Sequence, residues 1–233
     1  MESVKVVFFD VSNTLMNFDY GTVAKLSGMN QTQLTKQGPA RWKQINSELA
    51  EAHRRGEQPD PFRMLIHSLV YAETGLAGIE AVINGSDAVS LWNCTNDEAR
   101  QAVEALRSQG VRAGVISKSK ADGTLQTLLD RHGWMGLFEV VIDSTVVGVQ
   151  KPDSRIFEMA LARVGVKANE ALYVGYLPSV DVQGANDAGL RAVLYDPYDL
   201  YQADLEHLVA AHGPFHRLTD LRQLSPLVRL LNG

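Results

Sequence analysis

Residues 4–9, 111–117, 138–143, 171–175 and 191–195 are short runs rich in Val, Ile, Phe and Leu, and none shows polar alternation. A strand with one wet face alternates apolar and polar residues; a strand covered on both faces does not. Helical patterns at 97–109, 153–164 and 179–188 separate the later runs. Each is followed by a glycine suited to a left-handed C-cap, namely Gly110, Gly165 and Gly189. Strands and helices alternating at this length restrict the chain to an α/β fold with a parallel, doubly wound, Rossmann-like sheet.

Residues 16–92 interrupt the alternation. They carry amphipathic stretches at 41–55 and 62–74, punctuated by the charged run EAHRRGEQPDP, and no strand pattern. This predicts a helical cap domain at 16–92, inserted into a core formed by 1–15 and 93–233. Arg41, His53, Arg54 and Arg55 read as a solvated helix face, and Trp42 and Trp92 as cap packing. The formal net charge of −5 over 233 residues offers no field for nucleic acid or an anionic membrane. A single cysteine, Cys94, excludes an internal disulfide. No apolar run approaches the roughly 20 residues that span a bilayer. The expectation is a cytoplasmic protein with a small-molecule partner.

The polar residues fall where such a sheet binds ligands, outside the carboxyl ends of its strands. Asp10, Val11, Ser12, Asn13 and Thr14 follow the first run, and Ser117, Lys118 and Ser119 end the second. Lys151 lies after the third, with Pro152 and Asp153 marking a helix start, and Asp181 lies after the fourth. This set suits nucleophilic substitution by a carboxylate. Asp10 attacks phosphorus or carbon. A hydroxyl from Ser117 or Thr14 and the ammonium of Lys151 hold the oxygens of the transferred group, and the Lys151 charge keeps Asp10 ionised. Lys118 adds a second cation at the mouth of the site or points to solvent.

The stretches FFDVSNTL, GVISKS, KPDSRIF and VGYLPSVDVQGANDAG, in this order, resemble the four motifs of the haloacid dehalogenase (HAD) superfamily. The resemblance implies a Rossmann-like core with a helical C1-type cap inserted after the first motif. It implies Asp10 as nucleophile, Ser117 and Lys151 as phosphoryl-binding residues, Asn13 and Thr14 as the turn beneath the nucleophile, and an acid of the fourth motif near Mg²⁺.

Two positions depart from that pattern. The family's first motif has a second acid, which protonates the leaving group, where Ser12 stands here. A serine hydroxyl cannot give the general acid–base help worth roughly 10²–10⁴-fold. The family's fourth motif begins Gly-Asp, where this chain has Gly175 and Tyr176, so the direct carboxylate ligand for Mg²⁺ is absent. A metal would rest on Asp10, the Ser12 carbonyl and Asp181. The metal-free 2-haloacid dehalogenase branch carries Tyr at the Ser12 position and Asn at the Lys118 position, so it does not match either. Two readings follow. One is a hydrolase with Asp10 as nucleophile, acting on a small phosphorylated or halogenated anion with weak or atypical metal dependence. The other is a catalytically impaired homologue that binds a ligand or partner.

Overall fold

A computed structural model of the chain describes residues 2–86, 88–92, 94–119 and 123–233. The chain divides into two compact units, Met1–Asn17 with Thr95–Gly233, and Phe18–Cys94.

The first unit is built on six parallel strands: β1 (Val6–Phe9), β2 (Arg112–Ser117), β3 (Val140–Asp143), β4 (Ala171–Gly175), β5 (Arg191–Tyr195) and β6 (Phe215–Leu218). Their spatial order is β3-β2-β1-β4-β5-β6, with every pairing parallel. The chain first builds outward from β1 on one side through β2 and β3. It then crosses to the other side for β4, β5 and β6. The reversal falls at β1, and a crevice for ligand opens at such a switch point.

All four residues of β1 are completely buried, which explains a run with no polar alternation. In the register, Phe8 lies level with Gly114 on one side and Tyr173 on the other. The Phe8 ring covers Gly114 so closely that a Cβ there would meet it at 2.8 Å. β6 escapes a search for continuous apolar runs because Phe215–Leu218 reads FHRL, a half-polar strand at the edge of the sheet.

Local chemistry sets the helix ends around this sheet. Asn96 caps Asp97–Ser108 by accepting from the N–H groups of Glu98 and Ala99 at 3.1 and 3.4 Å. Asp153 caps Ser154–Val164 in the same way through the Arg155 N–H at 3.0 Å, so Pro152 precedes the helix instead of lying in its first turn. The stretch 179–188 is not one α-helix. It is a π-helical turn, Pro178–Val182, followed by Gln183–Asp187. Such a turn inside a helix is frequent at functional sites.

The second unit is helical: Tyr20–Ser27, Gln31–Arg54 and Pro61–Gly85, followed by the short turn Ala88–Leu91. The amphipathic stretches at 41–55 and 62–74 are parts of longer helices. The first helix runs through Pro39, and the second is broken at Gly75, where φ is +63°. Phe18, Phe62 and Trp92 form an aromatic cluster, with Phe18 and Trp92 edge to face at 5.2 Å and Trp42 against Trp92 at 6.4 Å. Asn93, the expected point of return to the core, lies outside the described residues. None of the described helices is long and apolar enough to cross a membrane.

Phe8→Ala removes a fully buried ring from the central strand, and its expected cost is about 3–5 kcal/mol. Leu230→Ala removes a side chain that is 79% exposed, and its expected change lies within about 0.5 kcal/mol. Urea unfolding of the two variants beside the wild type checks both.

Candidate active site

The centre of the site is Lys151. Its ammonium donates to Asp10 Oδ1 at 2.7 Å, to Asp181 Oδ1 at 2.7 Å and to the Tyr173 hydroxyl at 2.6 Å. Asp10, Lys151 and Asp181 come from three separate connections and are each almost completely buried. Asp10 continues β1 by one residue, its N–H donating to the Val174 carbonyl at 2.8 Å. This ladder bond fixes the backbone from which its carboxylate projects. Asp181 sits in the π-helical turn, and its Oδ2 accepts from the N–H groups of Tyr176 and Leu177 at 3.0 and 2.9 Å. Those bonds fold the connection after β4 back onto the strand end. Gly175 is required there, because a Cβ would stand 2.4 Å from the Asp181 carboxyl carbon.

Burial raises the Asp10 pKa to about 6; the Lys151 charge pulls it down, and Asp181 pushes it up again. Burial by itself would lower the Lys151 pKa, but the charges of Asp10 and Asp181 hold it above its ordinary value, so the ammonium stays charged. The cluster therefore carries two carboxyl groups against one cation.

The other residues named from the sequence lie at or just after the ends of β1, β2 and β4. Thr14 is completely buried, and its Oγ1 has no hydrogen-bond partner among the described residues. Asn13 adopts a left-handed backbone with φ +50°, a conformation asparagine tolerates better than most residues. Tyr176 lies close to the Asn13 side chain. Burial, and then the negative charges of Asp10 and Asp181, push its pKa well above the usual phenol value, so it stays neutral. Ser12 is half-buried on the turn after β1, and Ser117 is buried at the end of β2 with Lys118 half-buried beside it.

Two further residues near these strand ends were not picked out from the sequence. Tyr173 lies inside an apolar run and counts there as a hydrophobic residue, yet its hydroxyl reaches Lys151. Asp143 ends β3 level with Ser117 and takes hydrogen bonds from the Ser119 hydroxyl and from the N–H of Thr145 at 2.9 Å. It thereby ties the loop after β2 to the end of β3.

Mg²⁺ requires several hard oxygen ligands in near-octahedral geometry. Oδ1 of Asp10 and Oδ1 of Asp181 both face the Lys151 ammonium, and Oδ2 of Asp181 already holds two backbone N–H groups. A neutral phenol occupies position 176, and the described residues hold no group of three or more His, Cys, Asp or Glu suited to a metal ion. With a phenol at 176 and both oxygens of Asp181 committed, the set expected from Asp10, the Ser12 carbonyl and Asp181 falls short of the hard oxygen ligands that a resident Mg²⁺ requires.

The haloacid dehalogenase-like hydrolase family matches residues 4–189. The chain belongs to that family of hydrolases. Among curated relatives, a glyceraldehyde 3-phosphate phosphatase of Pyrococcus furiosus is 27% identical over 237 residues, covering 100% of this chain and 96% of the relative. A glyceraldehyde 3-phosphate phosphatase of Methanothermobacter thermautotrophicus is 34% identical over 123 residues, 53% of this chain, which spans only 54% of that relative's length. Among solved structures, the HAD-hydrolase YfnB of Bacillus subtilis, solved bound to magnesium, superposes with a TM-score of 0.68 at 20% identity, covering 97% of this chain and 99% of that one.

The raised Asp10 pKa has a consequence for stability. An acid whose pKa is higher folded than unfolded takes up its proton earlier in the native state, so its contribution grows as pH falls through that window. With Asp10 at about 6 against an ordinary value of 3.8, the wild type is expected to gain stability relative to Asp10→Asn between pH 7 and pH 4. Chemical denaturation of both proteins across that range measures the difference. An unchanged difference contradicts the raised value.

Proposed function

We propose that the protein hydrolyses a small anionic substrate through a covalent intermediate on Asp10, without a resident metal ion. The observation that carries the reading is the buried contact of Asp10 with Lys151, itself held by Asp181. It presents an aspartate at a strand end in a switch-point crevice, with a permanent cation behind it.

For a phosphate monoester, an Asp10 oxygen forms a bond to phosphorus while the ester P–O bond breaks. Water then cleaves the aspartyl phosphate and releases inorganic phosphate. The named activity of the relatives supports this substrate class. The Lys151 ammonium balances charge that gathers during the transfer, as a preorganised dipole or ion does in a dry site. Ser117 and Thr14 supply hydroxyls for the transferred oxygens, and Lys118 a further cation at the same edge of the sheet. The helical unit Phe18–Cys94 is the cap domain in this reading.

With Ser12 in the place of an acid, no carboxyl at that position protonates the leaving group. It departs as its own anion, and the rate rises with the acidity of its conjugate acid. The same observation favours a second substrate class. A halide needs no proton at all, so displacement from a 2-halocarboxylate, with a C–O bond to Asp10 formed and the carbon–halogen bond broken, suits this site as well. A catalytically impaired homologue that only binds a ligand is not favoured by relatives named as phosphatases.

Turnover of p-nitrophenyl phosphate, glyceraldehyde 3-phosphate and 2-chloropropionate, each with Mg²⁺ or with EDTA, tests the proposal. At least one substrate is expected to turn over, with EDTA changing the rate by less than about twofold and Asp10→Asn lowering kcat by about 10³-fold or more. Among phosphates, the aryl ester is expected to react faster than the alkyl ester. Turnover that requires Mg²⁺, or that survives Asp10→Asn, overturns the reading.

The pH profile gives a separate check. An ionised Asp10 is the reactive form, so kcat/KM is expected to halve near pH 6 and to fall about tenfold per unit below it.

A further inference from the structure

Lysine has three N–H donors and no acceptor. All three donors of Lys151 have partners inside the protein: Asp10 Oδ1, Asp181 Oδ1 and the Tyr173 hydroxyl, at 2.7, 2.7 and 2.6 Å. The third of these partners is neutral. The Tyr173 hydroxyl accepts from Lys151 and directs its own proton toward the Ile116 carbonyl at 3.2 Å and Asp181 Oδ1 at 3.1 Å. Its ring is held edge to face against Phe157 at 4.9 Å, and the whole side chain is buried. The Lys151 nitrogen also stands 5.3 Å from the centre of that ring. Tyr173 is therefore clamped by packing at its ring and by hydrogen bonds at its tip, and the tip faces the ammonium.

We propose that Tyr173 is a positioning residue: its hydroxyl takes the third ammonium proton of Lys151 and fixes the lysine as a stationary charge behind Asp10. This deepens the reading of Asp10 as nucleophile and rests on it for its catalytic meaning. The Ile116 bond ties Tyr173 to the end of β2 as well, because Ile116 immediately precedes Ser117 there. A displacement of the Tyr173 hydroxyl moves the lysine on one side and loosens the end of β2 on the other.

The test begins with the lysine itself. In protein labelled with ¹⁵N-lysine, the Lys151 ammonium signal is assigned by its loss in Lys151→Met. Its protons are expected to exchange with water at least about tenfold more slowly than those of Lys167, whose side chain is 71% exposed. Tyr173→Phe keeps the ring and its contact with Phe157 but removes the acceptor. The expected result is an exchange rate for Lys151 raised about tenfold, and, on whichever substrate turns over, kcat lowered about tenfold with KM within about twofold.

A Lys151 signal in the wild type that exchanges as fast as that of Lys167 overturns the proposal without any variant. So does unchanged exchange in a folded Tyr173→Phe protein, or a rise in KM at constant kcat, which signals a contact with the substrate instead. The exchange measurement needs no substrate. Slow exchange with a blank substrate panel therefore counts against the proposed hydrolysis alone. Fast exchange with Asp10-dependent turnover counts against the role of Tyr173 alone.

Discussion

The ammonium of Lys151, buried between Asp10 and Asp181, is the interaction on which the rest of the site depends. Two buried carboxylates in one crevice repel each other, and each is costly to desolvate. A cation between them makes the arrangement tenable. Its cost in desolvation is recovered only when every donor and acceptor is satisfied, and here the three donors of the lysine meet three oxygens. A buried ion pair of this kind contributes little net stability compared with apolar packing. Its use lies in poising Asp10: burial lifts the carboxyl and the lysine pulls it back, leaving a group that is ionised above about pH 6 and held in one place.

The same arrangement explains how the chain departs from its family's usual motif without losing a coherent site. Loss of an acid at position 176 removes a ligand for a divalent ion, and the phenol in its place stays neutral beside two negative charges. The remaining acid of that motif, Asp181, is committed on both oxygens, to Lys151 and Tyr173 on one side and to the N–H groups of Tyr176 and Leu177 on the other. The π-helical turn is the backbone expression of this commitment, because it brings Asp181 back over Gly175, where only a glycine leaves room.

The strands of the core were legible because burial on both faces removes polar alternation, and β1, β2, β3, β4 and β5 carry that mark. The edge strand β6 was not, since an edge strand keeps polar residues such as His216 and Arg217 that break the run. The helix expected over 97–109 was legible from its pattern and from Gly110 at its end, while its cap, Asn96, was identified only in the structure. The stretch 179–188 was misread as one regular helix because its periodicity is helical, whereas the π turn answers to hydrogen bonds from residues outside it. Asp10, Lys151 and Asp181 were legible as polar residues following apolar strands. Tyr173 was not, because a tyrosine within a strand is indistinguishable from core until the position of its hydroxyl is known.

The sequence by itself determined the parallel α/β architecture and which strand ends carry reactive groups, because both follow from local rules: burial pattern, capping and the order of the strands. Only the tertiary structure decided which of those groups touch. That Lys151 spends one donor on Tyr173, and that Asp181 serves the lysine, depends on distances between residues 22 and 30 positions apart in the chain. Such distances are set by sheet register and packing, to which no local pattern is sensitive.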